Sequence, residues 1–173
     1  TRMGWSNYQK KRESSKTPDA AGLPDSAGKQ RFVVQEHHAR RLHYDFRMEA
    51  GGVLKSWAVP KGPSMNPKDK RLAVMTEDHP VKYLTFEGTI PKGNYGAGEM
   101  SIWDSGTYEM ANGVSFEKAL ESGKLKFRLH GQKLHGEFSL VKMHGDEDRQ
   151  WLLIKSKDEA ALAKAASPKK KPQ

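Results

Sequence analysis

Residues 42–48, Leu-His-Tyr-Asp-Phe-Arg-Met, alternate with period two. Extended as a strand, they place Leu42, Tyr44, Phe46 and Met48 on one side and His43, Asp45 and Arg47 on the other. The first side is apolar and belongs in a core. The second carries an imidazole, a carboxylate and a guanidinium in a row. The same kind of pattern predicts further strands along the chain. Residues 31–36 carry Phe32, Val33 and Val34, and the 40–49 strand is followed by a Gly51-Gly52 hairpin signal and a return over 53–59. Strands are also expected at 71–76 and, short, at 82–86. Two more flank an Asp104-Ser105-Gly106 turn, at 99–103 and 107–110. The last three lie at 124–130, 134–143 and 150–155. Helical patterns are few: a short one at 8–13, one at 115–122, and one at 157–166 with Ser156 as its cap. Many short strands with regular turn signals favour a closed barrel or a sandwich. There is no alternation of strands with helices and no internal repeat.

Composition narrows the partners. The chain has 173 residues, room for one domain with a core plus tails. Residues 1–29 read as a basic polar arm, 30–166 as the folded body, and 167–173 (Ser-Pro-Lys-Lys-Lys-Pro-Gln) as a tail or linker. Threonine at position 1 reads as a fragment or a processed form. Only 35% of residues are hydrophobic and mean hydropathy is −0.84, so part of the chain is expected to stay unpacked. Net charge of +9, with a pI near 9.6, favours a polyanion: nucleic acid first, an anionic membrane surface second. The absence of cysteine removes disulfides, zinc-thiolate sites, iron–sulfur clusters and cysteine nucleophiles. No apolar run approaches a membrane span, and no signal-peptide pattern appears.

The polar side of 42–48 carries the candidate chemistry. His43 and Asp45 project the same way, and imidazole nitrogen with carboxylate oxygen suits a divalent metal. His37, six residues upstream on the same parity, would complete a two-histidine, one-carboxylate face. A bulge near Ala39 would put His38 there instead. Arg47 sits where a metal-bound anion needs neutralising, and a guanidinium grips phosphate with two parallel bonds. His79, in Glu77-Asp78-His79-Pro80 just past an expected strand, is placed to bond a phosphate or protonate a leaving oxygen. Tyr83, Lys61 and Arg71 are further phosphate contacts by type. Each of these also reads as an ordinary packed or surface residue, and the whole face as a solvated ion-pair patch. His130, His135 and His144 read as surface or core histidines. The glycines of 88–98 look like a phosphate cradle, but the Gly-Lys-Ser/Thr ending of a P-loop is missing, so the segment reads as a structural loop. Two other functions use the same residues. One is a non-haem iron oxygenase using His43, Asp45 and a distal histidine such as His135. The other is a metal-free nucleic-acid-binding module.

Several long runs carry a resemblance. Phe-Val-Val-Gln-Glu-His-His-Ala-Arg-Arg-Leu-His-Tyr-Asp-Phe-Arg (32–47) is followed by Leu-Lys-Ser-Trp-Ala-Val-Pro-Lys-Gly-Pro-Ser (54–64), Arg-Leu-Ala-Val (71–74) and Glu-Asp-His-Pro (77–80). Phe-Glu-Gly-Thr-Ile-Pro-Lys-Gly-Asn-Tyr-Gly-Ala-Gly (86–98) and Ile-Trp-Asp-Ser-Gly (102–106) complete the set. The order and content of these runs resemble the 3′-phosphoesterase domain of bacterial DNA ligase D, more loosely after Gly106. The resemblance implies a mainly β fold, a compact closed barrel with a few short flanking helices and an active-site groove on its outer surface. It implies manganese-dependent healing of DNA 3′ ends: removal of a 3′-terminal ribonucleoside, then of the 3′-phosphate, leaving a 3′-OH for end joining. Matched position by position, the metal ligands fall on His37, His43 and Asp45. The catalytic contacts fall on Arg47, His79, Tyr83, Lys61 and Arg71, and supporting residues on Gln35 and Glu77. The arm resembles the family at Arg12, Glu13 and Asp19, with the two acids exchanged relative to the usual pattern. The implied partners are primer–templates ending in a 3′-ribonucleotide or 3′-phosphate, ligase and polymerase domains of one polypeptide, and the end-binding protein Ku. A monomeric, cytoplasmic, nucleoid-associated protein is expected, with no membrane contact.

Overall fold

The computed structural model describes residues 30–93, 97–145 and 149–158. The expected helices at 8–13 and over most of 157–166, and the arm residues Arg12, Glu13 and Asp19, lie outside them. Nine strands occur among the described residues: β1 (Arg31–His38), β2 (Leu42–Ala50), β3 (Val53–Val59), β4 (Lys70–Pro80), β5 (Gly88–Ile90), β6 (Gly98–Met110), β7 (Lys124–His130), β8 (His135–Lys142) and β9 (Gln150–Lys155). They pair in the order β1-β2-β3-β4-β9-β8-β7-β6, and β6 pairs back onto β1. This closes an eight-stranded antiparallel barrel, and β5 is an extra strand on the edge of β6. Each of the eight strands pairs with two neighbours, as a closed barrel requires.

Alternation sorts side chains between the inside and the outer wall. Phe32 and Val34 of β1, Phe46 and Met48 of β2, and Trp57 and Val59 of β3 point inward. There they meet Phe127, Phe138, Trp151 and Leu153 from the opposite wall. Phe127 stacks between Phe46 and Phe138, with centroids 6.1 and 6.4 Å away, and Trp57 meets Trp151 edge-on. Fully burying each such ring contributes about 2–3 kcal/mol. The β2–β3 hairpin turns on Gly51 and Gly52, both at positive φ (60° and 83°), as a tight two-residue turn requires. The single α-helix among the described residues, α1 (Phe116–Ser122), starts where the Ser115 hydroxyl accepts from the Lys118 amide and stops at Gly123 in the left-handed region. It lays Phe116 and Ala119 into the core.

Four expectations change. The two strands expected around residues 104–106 are one continuous strand, β6. Asp104 makes no turn of its own. Its carboxylate instead accepts amides from Ser105, Gln132, Lys133 and Leu134. Gly106 lets the backbone of His130 pack against the strand, where a Cβ would collide. Residues 82–86 form no strand; Val81–Thr85 is a 3₁₀ turn. The strand expected at 71–76 continues to Pro80, so His79 stands in β4 rather than in a loop. Part of the 88–98 loop is a strand, β5.

Candidate active site

Strand register builds the outer face. β1 and β2 pair without interruption, so Gln35 lies opposite Asp45 and His37 opposite His43. The irregularity in β1 falls instead on its pairing with β6, between Val34 and Gln35, and leaves the His37 parity intact. On the other side, Arg47 lies opposite Ser56 of β3, and Leu54 opposite His79 of β4. Three strands, with β3 between two of them, therefore bring His37, His43, Asp45, Arg47 and His79 onto one wall. His38 is exposed and faces Glu36 rather than the cluster.

His37 Nδ1 is 3.1 Å from one Asp45 oxygen, and His43 Nε2 is 3.2 Å from the other. One ligand atom from each residue falls within a 4.8 Å span. His43 donates from Nδ1 to the Arg41 carbonyl at 3.2 Å, which leaves Nε2 for the cluster. Burial by itself would raise the Asp45 carboxyl. The Arg47 charge and hydrogen bonds from His37 and His43 outweigh that and hold it well below the usual carboxylate range. The hydrogen bond to Asp45 raises His43, against the opposing effect of burial. Two imidazoles around a carboxylate held in its ionised form are a donor set that fits a borderline divalent ion.

Arg47 is 2% exposed and held on three sides. Nε donates to Gln35 Oε1 at 2.7 Å, Nη1 donates to Ser56 Oγ at 2.9 Å, and Nη2 lies 3.4 Å from Asp45. Its guanidinium carbon sits 5.5 Å above the Tyr83 ring. Tyr83 is positioned by the 3₁₀ turn, which is clamped in two ways. Leu84 fills a small apolar patch with Val33 and Leu54 on the outer wall, and Gln35 Nε2 donates to the carbonyls of Tyr83 and Phe86. The Tyr83 carbonyl also accepts the Phe86 amide, the backbone bond that closes the turn. Gln35 thus ties the arginine to the tyrosine.

His79 is buried beside Tyr83, ring centroids 5.2 Å apart, and its Nδ1 donates to the Glu77 carbonyl at 2.8 Å. Burial first, and the Arg47 charge second, push its pKa down to about 3. The ring is therefore neutral near pH 7. Both carboxylate oxygens of Glu77 and the hydroxyl of its neighbour Thr76 are buried without a hydrogen-bond partner among the described residues.

Two expected contacts stand apart. Lys61 is exposed in the turn after β3, and no described contact joins it to the cluster. Arg71 lies opposite Leu153, a core residue, which puts it on the inward parity of Ala73 at one end of the barrel, beside Asp69. His135 lies opposite His130 on β8, so it supplies no third ligand to His43 and Asp45. Ser56, which holds the Arg47 guanidinium, is absent from the residues expected at the site. A signal existed: the two-residue turn at Gly51-Gly52 pairs Ala50 with Val53, and counting back puts Arg47 opposite Ser56.

Comparison with known proteins decides the family. The model of the DNA ligase D 3′-phosphoesterase domain matches residues 35–142. The chain belongs to this family. It is 48% identical over 155 residues to the multifunctional non-homologous end joining protein LigD of Pseudomonas aeruginosa, covering 87% of this chain and 18% of that protein. It is 45% identical over 159 residues to the protein of the same name from Mycolicibacterium smegmatis, covering 88% and 20%. The multifunctional non-homologous end joining DNA repair protein LigD of Mycobacterium tuberculosis is 46% identical over 154 residues, again 88% and 20%. The chain therefore spans about a fifth of the length of these relatives. Membership makes it a phosphoesterase domain of the DNA ligase D type. No described helix is long and apolar enough to cross a membrane.

Proposed function

We propose that this chain is a manganese-dependent 3′-end-healing enzyme. It would remove a 3′-terminal ribonucleoside and then the remaining 3′-phosphate. The carrying observation is the placement of the His37–His43–Asp45 cluster beside Arg47, with Tyr83 and His79 on the same wall. In the first reaction water adds to phosphorus and the bond to the 5′-oxygen of the terminal ribonucleoside breaks. In the second, water adds again and the bond to the 3′-oxygen breaks, releasing phosphate and a 3′-OH. A bound divalent ion lowers the pKa of its water and offsets charge on the phosphoryl oxygens.

His37, His43 and Asp45 would hold that ion, with Asp45 kept ionised by its neighbours. Arg47, fixed by Gln35 and Ser56, presents a guanidinium that needs no reorganisation to meet developing charge. The Tyr83 hydroxyl adds a hydrogen bond. His79 begins neutral, so protonation of a leaving oxygen requires it first to gain a proton. An incoming anionic phosphate, diester or monoester, favours that by offsetting the Arg47 charge that now opposes it. Arg12, Glu13 and Asp19 would add contacts from the arm, and Lys61 and Arg71 would act from farther away. In the cell we place the activity at broken DNA ends, alongside ligase and polymerase activities and Ku.

A labelled primer–template ending in one ribonucleotide tests this. With Mn²⁺ the expected ladder is loss of the ribonucleoside, then conversion of a 3′-phosphate to a 3′-OH. DNA binding without processing under any divalent metal would overturn it in favour of a binding module. Turnover that requires iron and oxygen would overturn it in favour of an oxygenase. Anaerobic activity with Mn²⁺ removes that second rival.

A further inference from the structure

Residues 39–41 form the bend between β1 and β2, next to the metal-ligand cluster. Arg40 and Arg41 are both exposed there, and neither has an ion-pair partner among the described residues. Arg31, Arg47 and Arg71, by contrast, each face a carboxylate. The bend is nonetheless firmly framed. His38 pairs with Leu42 and His37 with His43, so only three residues span the gap. The Arg41 carbonyl accepts from His43, and the backbone of His38 and Ala39 lies so close to Gly98 that a Cβ there would collide with it. Two adjacent, unneutralised guanidinium groups thus extend from a frame that also orients a metal-ligand imidazole.

We propose that the Arg40–Arg41 bend grips backbone phosphates of the DNA strand next to the reacting 3′ end and so sets where that end lies. This rests on the phosphoesterase reading above and adds a substrate-positioning surface to it. Arg47 is buried and suits the one phosphate undergoing reaction. Arg40 and Arg41 are solvated and suit contacts that salt can screen. An ordinary solvated turn would make no difference to DNA affinity, so the two readings separate on salt dependence.

The experiment uses the full chain and a fluorescent primer–template with a 3′-phosphate. Affinity is read by anisotropy across a salt series, and turnover by product analysis. Arg40→Ala/Arg41→Ala is expected to weaken binding ~10-fold at low salt. It should also flatten the slope of log affinity against log salt by about 1.5, near 0.7–0.9 per lost phosphate contact. KM should rise with Kd, and kcat should carry little of the loss. Arg40→Lys/Arg41→Lys keeps both charges and should restore most of the slope. Lys118→Ala removes a charge on α1 and should change neither quantity. An unchanged slope in the alanine pair would overturn the proposal. So would an equal loss in Lys118→Ala, or a loss that the lysine pair does not restore. If the parent chain hydrolyses no 3′ end yet the alanine pair still flattens the slope, the phosphoesterase reading fails and the grip on DNA stands.

Discussion

Two outer walls of this barrel carry the same kind of alternation with opposite outcomes. On β2, His43, Asp45 and Arg47 face outward; on β7, Lys124, Lys126, Arg128 and His130 do. Read as letters, both are strands with one apolar and one charged side. On the β2 wall, the Asp45 side chain is 9% exposed and that of Arg47 is 2%. On the β7 wall, Lys126 meets Glu137 at 3.3 Å with side-chain exposures of 43% and 26%, and His130 meets Glu109 at 3.5 Å with 46% and 68%. The difference is what lies on top. The 3₁₀ turn, anchored by Leu84 and Gln35, covers part of the β2 wall. There charges have fixed partners and strongly perturbed protonation. On the β7 wall water screens the same groups.

The strongest test of this contrast is Asp45→Asn. It removes the charge that both histidines and Arg47 face, and leaves a buried guanidinium without its counter-charge. Mn²⁺ binding, read by calorimetry, should be lost. Turnover on both 3′ ends should fall by more than the ~10²–10³-fold typical of one missing transition-state contact. Asp45→Ala should in addition lower stability by about 3–5 kcal/mol, the usual result of orphaning a buried charge. A variant that binds Mn²⁺ and turns over at the parental rate would make the β2 wall no different from β7.

A smaller effect is expected from pH. His79, at about 3 in the fold against 6.5 unperturbed, stays neutral where the unfolded chain binds a proton. Stability is therefore intact above pH 6.5 and falls as pH drops below it, by up to about 1.4 kcal/mol per pH unit. His43, which is raised, acts with the opposite sign: its contribution is present below 6.5 and lost as pH rises through its folded value. Asp45 loses its contribution only in strong acid, below the usual carboxylate range. Urea midpoints of the metal-free chain between pH 6.5 and 4.5 should fall, and His79→Gln should flatten that slope by one proton. Equal slopes in the two proteins would mean that His79 is not held neutral by burial.

The comparison also shows why parts of this molecule were legible in the sequence. Inward and outward sets on β1 and β2 follow from parity, so the strand cores and the shared parity of His37, His43 and Asp45 are legible in the sequence. A three-residue bend and a two-residue turn also set the register that puts His37 against His43 and Arg47 against Ser56. What parity cannot supply is burial. Nothing in the letters 81–85 says that Leu84 docks between Val33 and Leu54, or that Gln35 donates to the carbonyls of Tyr83 and Phe86. Arg71 shows the same limit: its basic side chain suits phosphate, but nothing in the letters says that its partner across the sheet is a core leucine. Asp104 looked like a turn residue because aspartate favours turns. Here it accepts amides from the distant 132–134 segment.

The smallest expected effect lies on the other wall, and it sharpens the comparison most. Lys126→Ala breaks an ion pair at 3.3 Å, a separation close to those within the metal-ligand cluster. If distance measured importance, the cost would be comparable. Both Lys126 and Glu137 are hydrated, so the attraction is screened and the lysine regains rotamer freedom when the pair is lost. The expected change in unfolding free energy is within about 0–1 kcal/mol, and it should shrink further as salt is added. Turnover at a 3′-phosphate should match the parent. A loss of several kcal/mol, insensitive to salt, would mean that the β7 wall is covered in solution as the β2 wall is, and that exposure in this structure does not separate the two.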